Sequence, residues 1–247
     1  MKEEETISIE ALKTQLEASE KEKKALLKLA LHDFRSPMNK LFALVGLFKM
    51  SDKPLTDEQA SYLDKMELVI RDGLGRMRNL MDLKAIEEAD TNTEVLIEHI
   101  HVGKLVQKVI REYIPDTARK NIEVSFTEKN ISLSTDRISC LRILDQLISN
   151  AIKFTPERGK ILIDLERGDD DVLVHITDGG RGIAEEEIPN LYQKFTPLST
   201  RTTGGESSTG IGLFIASWMA GKIGGSIGYT NNNKSVFSLR LPKVSLA

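Results

Sequence analysis

His32 stands in Leu31-His32-Asp33-Phe34-Arg35-Ser36-Pro37, a setting that structure alone explains poorly. More than a hundred residues downstream comes Asp145-Gln146-Leu147-Ile148-Ser149-Asn150-Ala151-Ile152-Lys153-Phe154-Thr155-Pro156. Asn150 and Lys153 are three apart and share a helix face. An amide oxygen suits Mg²⁺, which takes hard oxygen ligands alongside phosphate. A lysine beside it suits phosphate as a point charge, and Phe154 offers a ring on which a purine could stack. Two glycine-rich turns follow. Asp178-Gly179-Gly180-Arg181-Gly182-Ile183 comes after a strand-like run, where a carboxylate can accept from an adenine amino group and glycines let the backbone approach a ligand. Thr209-Gly210-Ile211-Gly212-Leu213 opens a helix, whose first amides are suited to phosphate. No Gly-Lys-Ser/Thr follows, so this is not a Walker A loop. A histidine and a distant nucleotide site together are equipment for phosphoryl transfer to the imidazole.

Two kinds of element must position these groups. The first ninety or so residues read as helix. Ile9, Leu12, Leu16, Leu26 and Ala30 fall on heptad spacing, which predicts a coiled-coil helix over 1–25. Leu27, Leu31, Phe34, Met38, Leu41, Val45 and Phe48 then widen the stripe to roughly 140°. With Leu26 as zero this face centres near about 65°, and His32 falls near about 240°, almost opposite. Lys28, Arg35, Ser36 and Asn39 share its side, so a buried core histidine is disfavoured. Asp33 can reach an imidazole nitrogen and fix the tautomer. Ser36 lies one turn on and could position a water, and Pro37 removes a helix donor and predicts a kink.

Ser51-Asp52-Lys53-Pro54 breaks the helix. Thr56 and Gln59 restart it as a capping box, and the second helix is expected to reach about Glu88. The apolar faces of such a hairpin are too wide for two helices to bury, which predicts a homodimeric four-helix bundle over 26–89. Residues 90–94 read as a linker. Beyond it, from 95 to 247, strand-like runs (97–102, 122–126, 131–133, 160–165, 172–177, 226–230, 235–241) alternate with helical patterns (104–119, 137–153, 211–223). That order predicts a two-layer α/β sandwich, a mixed sheet with helices on one face. The fold class is therefore α plus α/β.

His-Asp-Phe-Arg-Ser-Pro resembles the H-box of bacterial sensor histidine kinases, within their dimerisation and phosphotransfer helix. The block ending in Asn150 is similar to their N-box, which is shared with heat-shock 90 chaperones, type II topoisomerases and mismatch-repair ATPases. The two glycine turns resemble the G1 and G2 boxes. The resemblance spans about residues 20–243, and its force lies in the order of the four boxes. It implies that His32 accepts the γ-phosphoryl group of ATP at Nε2, that Asp33 assists, and that Ser36 takes part in dephosphorylating the partner. It also implies that Asn150 binds Mg²⁺, that Lys153 contacts phosphate, and that Asp178 reads adenine beside Gly180, Gly182 and Ile183. Thr209, Gly210, Ile211, Gly212 and Leu213 follow as the phosphate turn. Residues 196–209, rich in Ser, Thr and Gly, read as a lid over ATP, with Arg201 as a candidate γ-phosphate contact. Tyr192-Gln193-Lys194-Phe195 resembles an F-box with lysine where proline is usual. Serine at 36, where threonine or asparagine is common, and glutamine at 146, where asparagine is frequent, are further departures. The implied partners are a second copy of the chain and the receiver domain of a response regulator, whose aspartate takes the phosphoryl group. Two other classes are weighed beside this: a dimeric ATP-binding scaffold with little catalysis, and a conformational ATPase, which would need a transducer domain.

Bulk composition fits this reading. The 247 residues carry a net charge of −3 and are 40% hydrophobic, with no basic bias to support nucleic-acid binding. The best apolar run, 41–48, is far short of the ~18 residues that span a bilayer, so no membrane insertion by this chain is expected. A cytoplasmic location is expected, either alone or as the cytosolic part of a receptor. The single cysteine, Cys140, is expected in the core. His99, His101 and His175 are expected in structural roles, and Trp218, Met219 and Ile223 in the core.

Overall fold

A computed structural model of the chain describes residues 2–51, 54–88, 95–196, 198–204, 209–231 and 234–243. The linker expected at 90–94, and residues 197 and 205–208 of the expected lid, lie outside the described residues. The chain divides into two compact units, Met1–Lys84 and Ala85–Ala247.

The first unit is a pair of helices, α1 (Lys2–Lys49) and α2 (Asp57–Glu88). α1 runs unbroken through Pro37. The capping box forms as expected. The Gln59 amide N–H donates to Thr56 Oγ1 at 3.2 Å, and the Thr56 N–H donates to Gln59 Oε1 at 3.0 Å. Contacts between the helices run in antiparallel order. Lys49 pairs with Asp64 at 2.7 Å, the Arg71 guanidinium lies 5.1 Å from the Phe42 ring centre, and Met38 reaches the backbone at Gly73. Leu31, Val45 and Ile70 are buried by this pairing. Leu26, Phe34, Leu41, Leu44, Leu47, Phe48 and Val69 stay exposed, so one hairpin leaves much of its apolar surface uncovered.

The second unit holds the rest: β1 (Ile97–His101), α3 (Val102–Glu112), α4 (Ile114–Arg119), β2 (Glu123–Phe126), β3 (Ser132–Asp136), α5 (Arg137–Phe154), β4 (Lys160–Arg167), β5 (Asp171–Asp178), a 3₁₀ turn (Glu185–Asn190), α6 (Gly212–Lys222), β6 (Ser226–Asn231) and β7 (Ser235–Pro242). The main sheet is mixed, in the order β2-β4-β5-β7-β6, with only the β2–β4 pair parallel. Alternation sends Ile161, Ile163, Leu165, Val172, Val174, Ile176, Phe237, Leu239 and Leu241 into the core beneath α5 and α6. The opposite residues, such as Leu162, are half-buried or exposed.

Three details differ from the sequence reading. The helix expected over 104–119 is two helices, because Pro115 in the first turn of α4 has no N–H to extend the preceding ladder. β1 and β3 leave the main sheet and pair only with each other, antiparallel. The strand expected at 131–133 runs from Ser132 to Asp136, where Asp136 ends it as the N-cap of α5.

Candidate functional site

In the helical unit, the His32 side chain is 78% exposed while its neighbour Leu31 is buried, as the wheel geometry requires. Asp33 Oδ1 lies 3.5 Å from His32 Nδ1, a long contact that turns the δ nitrogen toward the carboxylate. The Nε2 atom is on the far edge of the ring. Ser36 is also exposed.

In the α/β unit, α5 sets the first wall of a pocket. Asp136 Oδ1 accepts from the Ser139 N–H at 2.5 Å and starts the helix. Ile143, Leu144, Leu147 and Ile148 bury its other face, and Asn150 and Phe154, near its C-terminal end, line a pocket with residues of β5 and β7. Asp178 ends β5 at the opposite wall. Its carboxyl is buried; Oδ2 accepts from Ser235 Oγ at 2.6 Å and Oδ1 from the Gly180 N–H at 2.8 Å. Burial pushes the Asp178 carboxyl above the usual carboxylate range, against the pull of those two hydrogen bonds.

The turn after Asp178 is held from several sides. Gly182 has φ +74°, and a Cβ there would meet the Asn231 side chain at 2.6 Å. The Ile183 N–H donates to Tyr229 Oη at 2.9 Å, and Thr200 Oγ1 donates to the Gly182 carbonyl at 3.0 Å. Thr155 Oγ1 accepts from the Gly179 N–H at 3.2 Å and links this turn to the end of α5.

These walls form a cleft that is partly open to solvent. Asn150, Phe154, Asp178, Gly180, Gly182, Ile183 and Leu213 line it, all expected from the sequence. Leu198, Thr200, Ser235 and Phe237 complete it. Of these, Thr200 and Leu198 lie in the expected lid segment, but nothing in the sequence ties Ser235 to Asp178, 57 residues earlier. Only the antiparallel register of β5 and β7 makes them partners. Lys153, Arg201, Thr209, Gly210, Ile211 and Gly212 do not line the pocket. Lys153 is half-buried on the last turn of α5, and Arg201 is exposed. Gly210 has φ +65° and packs on the Thr196 backbone, and Gly212 sits against Gln146 Oε1. α6 begins at Gly212 with no side chain capping it, which leaves its first-turn amides for another acceptor.

A buried carboxyl with spare lone pairs, flat apolar walls and glycine backbone on one side fit an adenine ring. An amide on the adjoining helix and an uncapped helix start fit a metal-bound phosphate chain. Elsewhere the structural roles are plain. Cys140 is buried, and burial pushes its thiol up to about 12. His101 and His175 hydrogen-bond Ser132 and Ser238, and no cluster of metal-binding side chains occurs among the described residues. Ile223 is buried and Met219 packs against the core; Trp218 is half-buried, with Lys222 over its ring.

Residues 135–245 match the family of histidine kinase-, DNA gyrase B- and HSP90-like ATPases, which defines the second unit as an ATP-binding domain of that class. The chain is 29% identical over 94% of its length to the sensor histidine kinase GacS of Pseudomonas protegens, and covers 26% of that protein. It is 24% identical over 91% of its length to the sensor protein VanSC of Enterococcus gallinarum, covering 62% of it. Among solved structures, it aligns over 90% of its length with full-length ShkA in complex with AMPPNP (TM-score 0.62, 22% identity, 46% of that chain). It also aligns over 61% of its length with the catalytic domain of histidine kinase ThkA (TM-score 0.54, 26% identity, 99% of that chain). The second unit carries the histidine kinase-, DNA gyrase B- and HSP90-like ATPase domain, and over nearly its whole length the chain is similar to sensor histidine kinases. It spans about a quarter of the length of the first curated relatives it matches. Among its described residues no helix is long and apolar enough to cross a membrane.

Proposed function

We propose that this chain is an ATP-dependent protein-histidine kinase that phosphorylates its own His32 and passes the group to the aspartate of a response-regulator receiver domain. The observation that carries the reading is the pocket between Asn150 and Asp178, built in a chain that also presents an exposed histidine with an acidic neighbour. Asp178 accepts from the adenine amino group, and Phe154, Ile183 and Leu213 form the apolar walls of the base site. Asn150 is the Mg²⁺ ligand. Lys153, Arg201 and the turn from Thr209 to Leu213 attend the phosphates from outside the base pocket. When bound, Mg²⁺ neutralises charge developing on the transferred phosphoryl group.

His32 supplies the nucleophile. With Nδ1–H facing Asp33, the lone pair of Nε2 attacks the γ-phosphorus, forming an N–P bond as the bond to the ADP oxygen breaks. Positioning and charge neutralisation carry most of such a reaction. A receiver carboxylate then attacks the same phosphorus and releases the imidazole. Ser36, one turn on, is placed to orient a water for the reverse duty of dephosphorylating the partner. Residues 26–89 form the dimerising phosphotransfer domain, 1–25 the helix that leads into it, and 95–247 the catalytic domain. The exposed apolar stripe of the hairpin supports a homodimeric four-helix bundle. This assembly works in the cytoplasm, alone or as part of a receptor.

Incubation with γ-labelled ATP and Mg²⁺ should give a phosphoprotein that is acid-labile and base-stable. Asn150→Ala should abolish the label; wild-type labelling in that variant would exclude the assigned site.

A further inference from the structure

Lys120 is almost wholly buried, at 2% exposure, between α4 and β2. A buried ammonium is costly unless its protons are used. Its Nζ donates to the Ile152 carbonyl at 2.6 Å, to Thr203 Oγ1 at 2.7 Å and to the Lys153 carbonyl at 3.3 Å. Two of these acceptors are carbonyls of the last turn of α5, where helix carbonyls lack intrahelical partners and the helix dipole is negative. Thr203 closes the same helix end from the other side. Its N–H donates to the Lys153 carbonyl at 3.0 Å, and its hydroxyl donates to the Thr155 carbonyl at 2.7 Å while accepting from Lys120.

These bonds join two parts of the pocket. The last turn of α5 carries Asn150 and Phe154, and the segment leading to Thr203 carries Leu198 and Thr200. We propose that Lys120 is a positioning residue for the nucleotide site: through Thr203 it ties the Leu198–Thr200 wall to the end of α5 and so sets nucleotide affinity without touching the nucleotide. This rests on the reading of the pocket as an ATP site. Thr203 lies at the surface, so altering it opens no hole in the core.

The test uses the full chain and ADP as probe, with Lys120→Met, Thr203→Val, their combination, and Thr203→Ser as the variant that keeps the hydroxyl. Hydrogen bonds to charged groups predict that Lys120→Met and Thr203→Val each weaken ADP binding about tenfold. The combination should weaken it no further, because both break one link, and Thr203→Ser should bind like wild type. Without nucleotide, the Thr203 amide should exchange about tenfold faster in Thr203→Val, while amides of β4 and β5 keep their rates. Unchanged affinity and unchanged Thr203 exchange in Thr203→Val would overturn the proposal, as would fully additive losses in the double variant. If the wild type bound no ADP, the ATP reading would fall, and the exchange rates would still decide whether Lys120 anchors Thr203.

Discussion

The two units solve opposite problems. The α/β unit buries a continuous core, with Leu144, Leu147, Leu165, Val174, Ile176 and Leu239 fully enclosed. Its candidate site is a pocket lined from α5, β5, β7 and the Leu198–Thr200 segment. Among its described residues the helical unit buries Leu31, Val45 and Ile70 and exposes Leu41, Leu44 and Phe48 along one stripe. The proposed nucleotide site thus lies in the unit that encloses its own core. His32, the proposed acceptor, lies on a helix that leaves much of its apolar face exposed. Binding ATP demands fixed walls, whereas a phosphoacceptor must be reachable by a catalytic domain and then by a receiver.

The contrast predicts unequal responses to truncation. Leu147→Ala in α5 should destabilise the chain by about 2–5 kcal/mol, through lost burial and the cavity left behind. Leu41→Ala, at a site 48% exposed, should change protomer stability by less than about 0.5 kcal/mol. It should instead weaken self-association. Denaturant titration and sedimentation of the two variants separate these effects; a large stability loss with unaltered association in Leu41→Ala would erase the distinction.

Asp178→Asn probes the pocket without emptying it. The amide cannot replace the carboxylate as acceptor on every edge, and nucleotide affinity should fall about 100-fold. The pH dependence has a definite sign. Burial raises the folded-state pKa of Asp178, so the protonated form favours the fold at low pH. That contribution is lost as pH rises from the ordinary aspartate range through the raised value. Nucleotide binding runs the other way, weakening as pH drops into the same window, because the acceptor becomes protonated. Asp178→Asn should flatten both trends; an unaltered affinity profile would remove Asp178 from the base site.

A local effect belongs to the hairpin turn. Thr56→Ala deletes one half of the capping box and should cost about 1 kcal/mol, read as a shift in the denaturation midpoint of the helical unit.

Much of this was legible because it is local. The capping box, the alternation in β4, β5 and β7, and the exposure of His32 opposite Leu31 follow from spacing over a few residues. What escaped is non-local or depends on one atom. The Ser235–Asp178 bond needs the β5–β7 register. The separation of β1 and β3 from the main sheet depends on pairing that crosses α3 and α4. Lys120 looks like one charge among many until α5 and Thr203 close over it. Pro115 did signal the break between α3 and α4, but the surrounding apolar pattern masked it.

The most direct test of the account separates acceptor from pocket. His32→Gln should bind ADP as the wild type does and yet incorporate no acid-labile phosphate from γ-labelled ATP, since the pocket is intact and only the nucleophile is gone. Retention of the label in His32→Gln, or a robust acid-stable label in the wild type, would contradict it.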